Sequence, residues 1–275
     1  LKSKEHAQQY LNVLKGENKM AGYESLKVFQ MPLCLIETGS DGKLSICQDV
    51  LAQIKGIDRA LNIVCIAGPY RTGKSYLLTR LAGCNKGFAL GSTIESKTKG
   101  IWVWCRPHPV QRDQVLLLLD TEGLGDIQKG DKNNDNQILA LGLLLSSTMV
   151  YNILSKFSND DLETLSFVTK IAENIQFSDT MSIEESKSNL DRVFPTFILT
   201  LRDFTLDLIY QGKQITSDEY LELVCLNLQP DTNPKIPNIN MVRLCQREYF
   251  KSSECWQNRM LSRSGREKFQ MLRAH

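Results

Sequence analysis

From Gly68 the chain reads Gly-Pro-Tyr-Arg-Thr-Gly-Lys-Ser, with two glycines around a four-residue gap and Lys74-Ser75 directly after. Residues of these types at this spacing suit the wrapping of backbone round a phosphate chain. Gly68 and Gly73 let the loop approach closely, so that its amides converge on phosphate oxygens. Lys74 is placed for the terminal phosphates and the Ser75 hydroxyl for Mg²⁺. Tyr70, Arg71 and Thr72 fill the loop and Tyr76 follows it. With Gly68, Gly73, Lys74 and Ser75 they make up the expected nucleotide-contact set.

Three more stretches extend that chemistry. An all-leucine run, Leu116 to Leu119, ends in Asp120-Thr121-Glu122-Gly123. A carboxylate there reaches Mg²⁺ through water, and the Gly123 amide, with no side chain in the way, is available to a γ-phosphate. Gly125 and Gly130, set among charged residues, suit a segment that orders round that phosphate. Between loop and leucine run, residues 91–100 are rich in Ser and Thr. Thr98, nearest the next strand, is the candidate for a second hydroxyl on the metal, giving a metal set of Ser75, Thr98 and Asp120. The usual guanine reader, [NT]-K-x-D, has no clean copy. In the place where one is needed stands Thr200-Leu201-Arg202-Asp203. Asp203 there can accept from both guanine donors while Arg202 covers the base.

These residues need rigid elements behind them. Asn62 to Ala67 reads as a buried strand entering the loop, and Ser75 to Ala82 as the helix leaving it, with Gly83 just past its end. Further strands are expected at Met31–Glu37, Gly100–Cys105, Val115–Leu119, Thr148–Ile153 and Thr196–Leu201. Helices are expected at Leu44–Ile57, through Leu139–Leu145, at Asp161–Ala172 and at Ser217–Leu226. Gln176–Asn189 reads as loop. The alternation gives an α/β fold, a doubly wound, mostly parallel sheet flanked by helices. It divides into a polar, helix-prone extension (1–30), one large nucleotide-binding domain (31–250) and a basic C-terminal segment (251–275).

Composition sets outer bounds. With 275 residues, 42% of them hydrophobic, and a net charge of +2, no bulk field favours nucleic acid or a membrane surface. Eight scattered cysteines form no C-x-x-C pair, so core thiols in a reducing, cytoplasmic setting are expected. No N-x-[ST] site, apolar run of membrane-spanning length or secretory leader is visible.

Taken together, Tyr70-Arg71-Thr72-Gly73-Lys74-Ser75, the Gly91 to Trp102 stretch, Asp120 to Asp126 and Thr200 to Asp203 resemble the GTPase domain of the guanylate-binding proteins. These are large GTPases related to dynamins and atlastins, and the likeness covers roughly residues 31–250. It implies Mg²⁺-dependent hydrolysis of GTP to GDP, in some members onward to GMP, by a domain that dimerises when nucleotide is bound. It implies catalytic roles for Arg71 as an internal arginine finger, Ser96 at the attacking water and Glu122 in the water and proton network. Arg243 and Arg247 match basic residues of a guanine cap that meets the partner subunit. Immune action at pathogen membranes is a further property of the family, resting on regions absent here.

Departures accompany the resemblance. Pro69 removes a backbone donor from the loop. From Lys251 onward the sequence drifts from the family pattern, which leaves open a truncated chain or a divergent cap and tail. Rival readings are an atlastin-like membrane-remodelling GTPase and a nucleotide-binding interaction module without hydrolysis. An ATP-dependent small-molecule kinase is the third, opposed by the Asp120 and Thr200 motifs.

Overall fold

The computed structural model describes residues 29–89, 98–109, 111, 113–125, 132–166, 171, 194–230, 236–250 and 253–258. In chain order the strands are β1 (Leu33–Thr38), β2 (Leu44–Ile46), β3 (Ala60–Ala67), β4 (Ile101–Pro107), β5 (Gln114–Thr121) and β6 (Thr148–Leu154). They continue with β7 (Thr196–Arg202), a small hairpin of β8 (Ile209–Tyr210) and β9 (Lys213–Gln214), and β10 (Ser253–Asn258). The helices are α1 (Gln48–Lys55), α2 (Lys74–Leu81), α3 (Lys132–Leu145), α4 (Asn159–Leu165), α5 (Ser217–Tyr220) and α6 (Ile236–Tyr249).

Eight strands form one sheet in the order β10-β7-β6-β3-β5-β4-β1-β2. From β10 to β5 every pairing is parallel, and from β5 to β2 every pairing is antiparallel. The sheet is thus mostly parallel, as expected, with a meander closing one edge. Its middle strands explain themselves: seven residues of β5 are buried in succession, five of them an apolar run from Val115 to Leu119 covered on both faces and the last two the site residues Asp120 and Thr121. Around β3 the order reverses, because β5 lies on one side and the later β6 on the other. Such a reversal opens a crevice beyond the carboxyl ends of the strands. Leu77, Leu78 and Leu81 of α2 pack into the cluster around β1, β3, β4 and β5. Leu139 and Leu143 of α3, Leu162 and Leu165 of α4 and Val242 of α6 fill the one around β6 and β7.

Several expectations shift in detail. Leu44–Ile57 is not one helix. Leu44 to Ile46 pairs with Thr38 to Ile36 as an edge strand, and the helix begins only at Gln48. A turn closed by Lys43 N–H donating to the Asp41 carboxylate at 3.1 Å sets that register. The helix expected from Asp161 begins two residues earlier. Ser158 caps it, with Asp161 as the third residue of a capping box. Thr216 and Glu219 form a second box at α5, which continues as a π turn through Leu221–Cys225. Both the Gln176–Asn189 loop and nearly all of the N-terminal extension fall outside the described residues. Cys65, Cys105, Cys225, Cys245 and Cys255 are buried, and Cys47 is exposed. Among the described residues no helix is long and apolar enough to cross a membrane.

Beyond position 250 the chain does not simply trail off. β10 lies parallel to β7, with Cys255 opposite Leu199. Its Cys255 N–H donates to the Asp218 carboxylate at 2.8 Å, and the residue is wholly buried. Ending the chain after residue 252 removes that strand and bares the edge of β7. The shortened protein should lose roughly 2 kcal/mol or more of stability in urea unfolding, from lost apolar burial and unpaired backbone groups. Unchanged stability would make the segment an appendage.

Candidate nucleotide site

At the carboxyl end of β3 the backbone leaves the sheet through Gly68 and re-enters a helix at Gly73. Both glycines hold positive φ, 139° and 84°, a backbone state that disfavours a side chain at either. A Cβ at Gly68 would collide with the carbonyl of Asn152, and one at Gly73 would meet the guanidinium of Arg202. Arg71, between them, is exposed and takes the left-handed conformation at φ 62°, a strained state for a side chain of its kind. Thr72 Oγ1 donates to Pro69 O at 2.9 Å, and the buried Lys74 ammonium donates to the same carbonyl at 2.9 Å. Pro69, the departure in the loop, therefore serves through its carbonyl, which a proline retains. Tyr70 is exposed, and the Tyr76 ring carries the Arg80 guanidinium 5.1 Å from its centroid.

The three residues assigned to a cation lie together. Ser75 Oγ donates to Asp120 Oδ2 at 2.6 Å. Burial pushes the Asp120 carboxyl up to about 6, against the lowering influence of the Ser75 hydroxyl, Lys74 and the Thr98 hydroxyl. Asp120 Oδ1 is buried with no hydrogen-bond partner. A buried carboxylate with one oxygen unsatisfied is costly unless a cation meets it. The donor set, two hydroxyls and one carboxylate, is all hard oxygen and fits Mg²⁺, with phosphate and water completing the shell. Among the described residues no cluster of three or more His, Cys, Asp or Glu could hold a metal by itself. Mg²⁺ here would depend on nucleotide for the rest of its ligands.

After β5 the chain is held to the phosphate loop. Leu124 N–H donates to Gly68 O at 3.1 Å and Tyr70 N–H to Leu124 O at 3.0 Å. Gly123 lies so close to the Tyr70 backbone that a Cβ would not fit. Glu122, wholly buried, has a place that its sequence position did not disclose. Its Oε2 accepts from Gly100 N–H at 2.7 Å and from Thr38 Oγ1 at 3.1 Å, and its Oε1 accepts from Asn134 Nδ2 at 2.7 Å. One carboxylate thus ties together the end of β1, the residues after Thr98 and the start of α3. Ser96, its expected partner at the attacking water, lies outside the described residues.

The base-reading motif reaches the same crevice. Asp203, exposed and left-handed at φ 57°, follows directly after β7. Arg202 Nη1 donates to Thr72 O at 2.9 Å, so its guanidinium is fixed to the phosphate loop. Its Nε lies 3.7 Å from the Asp203 carboxylate. Arg243, expected in a guanine cap, is buried in the single chain, donating to Cys225 O at 3.2 Å and to Asn240 Oδ1 at 3.2 Å. Arg247 stays exposed, 3.6 Å from the Glu222 carboxylate. Sequence reasoning missed Asn152, Asn134 and Thr38. Only Asn152 left a signal, an amide within the apolar run of β6.

A glycine-bounded phosphate loop at the reversal point of a mostly parallel sheet, with a carboxylate strand end beside it, defines a P-loop nucleotide-binding domain. Residues 41–271 match the family model of the guanylate-binding protein N-terminal domain. The chain is 46% identical over 227 residues to guanylate-binding protein 1 of Chlorocebus aethiops, covering 82% of this chain and 38% of that protein. It is 46% identical over 238 residues to human guanylate-binding protein 4, covering 86% and 37%. Among solved structures, a point variant of Aquifex aeolicus Era bound to GDP.AlF4- aligns at 14% identity with a TM-score of 0.38, over 78% of this chain and 56% of that one. This chain belongs to the guanylate-binding protein family, and it spans less than two fifths of the length of the relatives it matches.

The Glu122 contacts separate a structural part from a purely chemical one. Glu122→Ala leaves two buried donors and the half-buried Thr38 hydroxyl without their acceptor and should cost about 3 kcal/mol in unfolding of the nucleotide-free protein. Glu122→Gln should cost less than half of that, because its amide oxygen still accepts from Gly100 and Thr38. A Glu122→Ala protein of unchanged stability would make these contacts incidental.

Proposed function

We propose that this domain binds GTP with Mg²⁺ and hydrolyses it to GDP, in the manner implied by its family. The observation carrying the proposal is the meeting, in one crevice, of the phosphate loop, the Ser75–Asp120 contact and the Thr200–Asp203 motif. The matched relatives are named for guanylate binding, and Asp203 is suited to give this chain the same preference. An ionised carboxylate accepts from guanine's ring N1–H and its exocyclic amine together, whereas adenine offers no such pair.

The residues divide the work. The loop amides from Arg71 to Gly73 face the phosphates, the Tyr70 amide being held by Leu124 O, and Lys74 leaves Pro69 O for the terminal phosphate oxygens when nucleotide enters. Ser75, Thr98 and Asp120 would hold Mg²⁺, which supplies charge neutralisation at the phosphates and fixes their orientation. Water attacks the γ-phosphorus in line with the bridging oxygen that leaves with GDP. Ser96 is assigned to that water. Glu122 takes part by holding the segments after Thr98 and after Gly123 in one arrangement. Arg71, exposed beside the phosphates, swings its guanidinium onto the charge that spreads over the transferring group. Association of two such domains in the nucleotide-bound state, with Arg247 at the contact, would favour that swing. A second step to GMP, a cytoplasmic location and a role in innate immunity belong to the same reading.

The test is GTP turnover against protein concentration with the products separated. Specific activity should rise with concentration, and a GMP peak would add the second step. Tight binding with flat, negligible turnover would instead make the domain an interaction module. Arg71→Ala should retain GTP binding and slow turnover by ~10³-fold or more. The role fails if turnover is unchanged. Asp203→Asn should weaken GTP by roughly tenfold or more while leaving weak ATP binding where it was, since an amide cannot accept from both donors. Equal GTP affinity for that variant would remove Asp203 from base recognition.

A further inference from the structure

β6 is an apolar strand with an amide near its end. Asn152 is 2% exposed, and a buried carboxamide needs partners for both its ends. It has them on two different elements. Its Oδ1 accepts from Thr200 Oγ1 at 2.8 Å, across the parallel pairing that sets Asn152 opposite Thr200. Its Nδ2 donates to Thr72 O, within the phosphate loop, at 2.9 Å. The orientation of the amide is not arbitrary. A main-chain carbonyl can only accept, so the NH₂ group must face Thr72, and the hydroxyl of Thr200 is left for the oxygen.

Arg202 Nη1 donates to that same Thr72 carbonyl at 2.9 Å. The Asn152 backbone meanwhile lies against Gly68, where its carbonyl occupies the space a Cβ would need. One residue of β6 therefore touches the phosphate loop at its first glycine and just before its second. The peptide joining Thr72 to Gly73 is planar and trans, so its C=O and N–H point in opposite directions. Two donors on the carbonyl fix that plane and aim the Gly73 amide away from them, into the mouth of the loop where phosphates are cradled.

We infer that Asn152 is a positioning residue for phosphate binding. With Arg202 it sets the Thr72–Gly73 peptide plane, and through Thr200 it links that plane to the strand bearing the base reader. This rests on the nucleotide-binding reading above. It also gives Thr200 and Arg202 a task at the phosphate end, separate from covering the base.

The experiment compares affinities for GDP and GMP by direct titration of the wild-type protein, Asn152→Asp, Thr200→Val and the double variant. Asn152→Asp is isosteric but sets an acceptor against the Thr72 carbonyl. It should weaken GDP about tenfold and GMP by less than about threefold, because the single phosphate of GMP depends less on the Gly73 amide. Thr200→Val keeps the shape and strand propensity and should weaken GDP about threefold. The double variant should bind GDP no worse than Asn152→Asp alone, since Thr200 acts through Asn152. Equal GDP affinity in the variants, a matched loss of GDP and GMP, or additive losses would each overturn the inference. Should Asn152→Asp fail to fold, the GDP-to-GMP ratio of Thr200→Val decides alone: a fall supports the inference and no change overturns it. A wild-type protein that binds neither nucleotide would end the nucleotide reading itself.

Discussion

Close backbone approach at the carboxyl end of β3 is the constraint on which this site depends. Gly68 lies on the Asn152 carbonyl, Gly73 on the Arg202 guanidinium and Gly123 on the backbone of Tyr70. At Gly68 and Gly123 backbone meets backbone, an approach possible only because neither residue has a Cβ. What fills the saved space is polar: the Thr72 carbonyl with its two donors, and Pro69 O with the Lys74 ammonium and Thr72 hydroxyl. The Thr72 carbonyl is thereby held toward β6 and β7, and the amide of the same peptide, that of Gly73, points the opposite way. Anion binding follows from that geometry before any side chain charge is counted.

Charge then adds its own demand for a ligand. Lys74, Asp120 and Glu122 are all buried within the same crevice, where unpaired charge is expensive. Glu122 is matched by neutral donors from three elements. Asp120 is not so well served: one of its oxygens has the Ser75 hydroxyl and the other has no hydrogen-bond partner. A cation beside Asp120 and phosphates beside Lys74 relieve both conditions together, which is why metal and nucleotide are best regarded as one ligand here.

Much of this was readable from the chain, for a physical reason. Phosphate binding demands residue types at fixed spacing along a continuous segment, so Gly68 to Ser75, Asp120 to Gly123 and Thr200 to Asp203 declare themselves. The buried strands do so too, because β5 has no other use for a run of leucines. Elements defined by distant partners were not legible. β2 is a strand only because Ile36 lies alongside Ile46, and its own three residues suit the start of a helix equally well. β10 carries polar residues and is recognisable only once β7 presents a parallel edge. α6, with a proline in its first turn and a weakly amphipathic pattern, gave no clear period. Arg243 looked like surface by its type, and its burial reflects the carbonyl of Cys225 offered to it from the π turn.

The residues that sequence spacing missed share a character that changes how the site should be understood. Asn152 and Glu122 each join segments far apart in the chain, one across the phosphate loop and β7, the other across β1, the Thr98 segment and α3. The Leu124 N–H donating to Gly68 O links the two networks through the backbone after Glu122. The base reader and the phosphate loop are thus bound by Asn152 on one side of β3, and the segments expected to respond to a γ-phosphate are bound by Glu122 on the other. A ligand with base, β-phosphate and γ-phosphate spans both networks, whereas one lacking the γ-phosphate engages mainly the first. The proposed function thereby assigns discrimination between triphosphate and diphosphate to the Glu122 side of the crevice and discrimination among bases to the Asn152 side, with the phosphate loop as the element common to both.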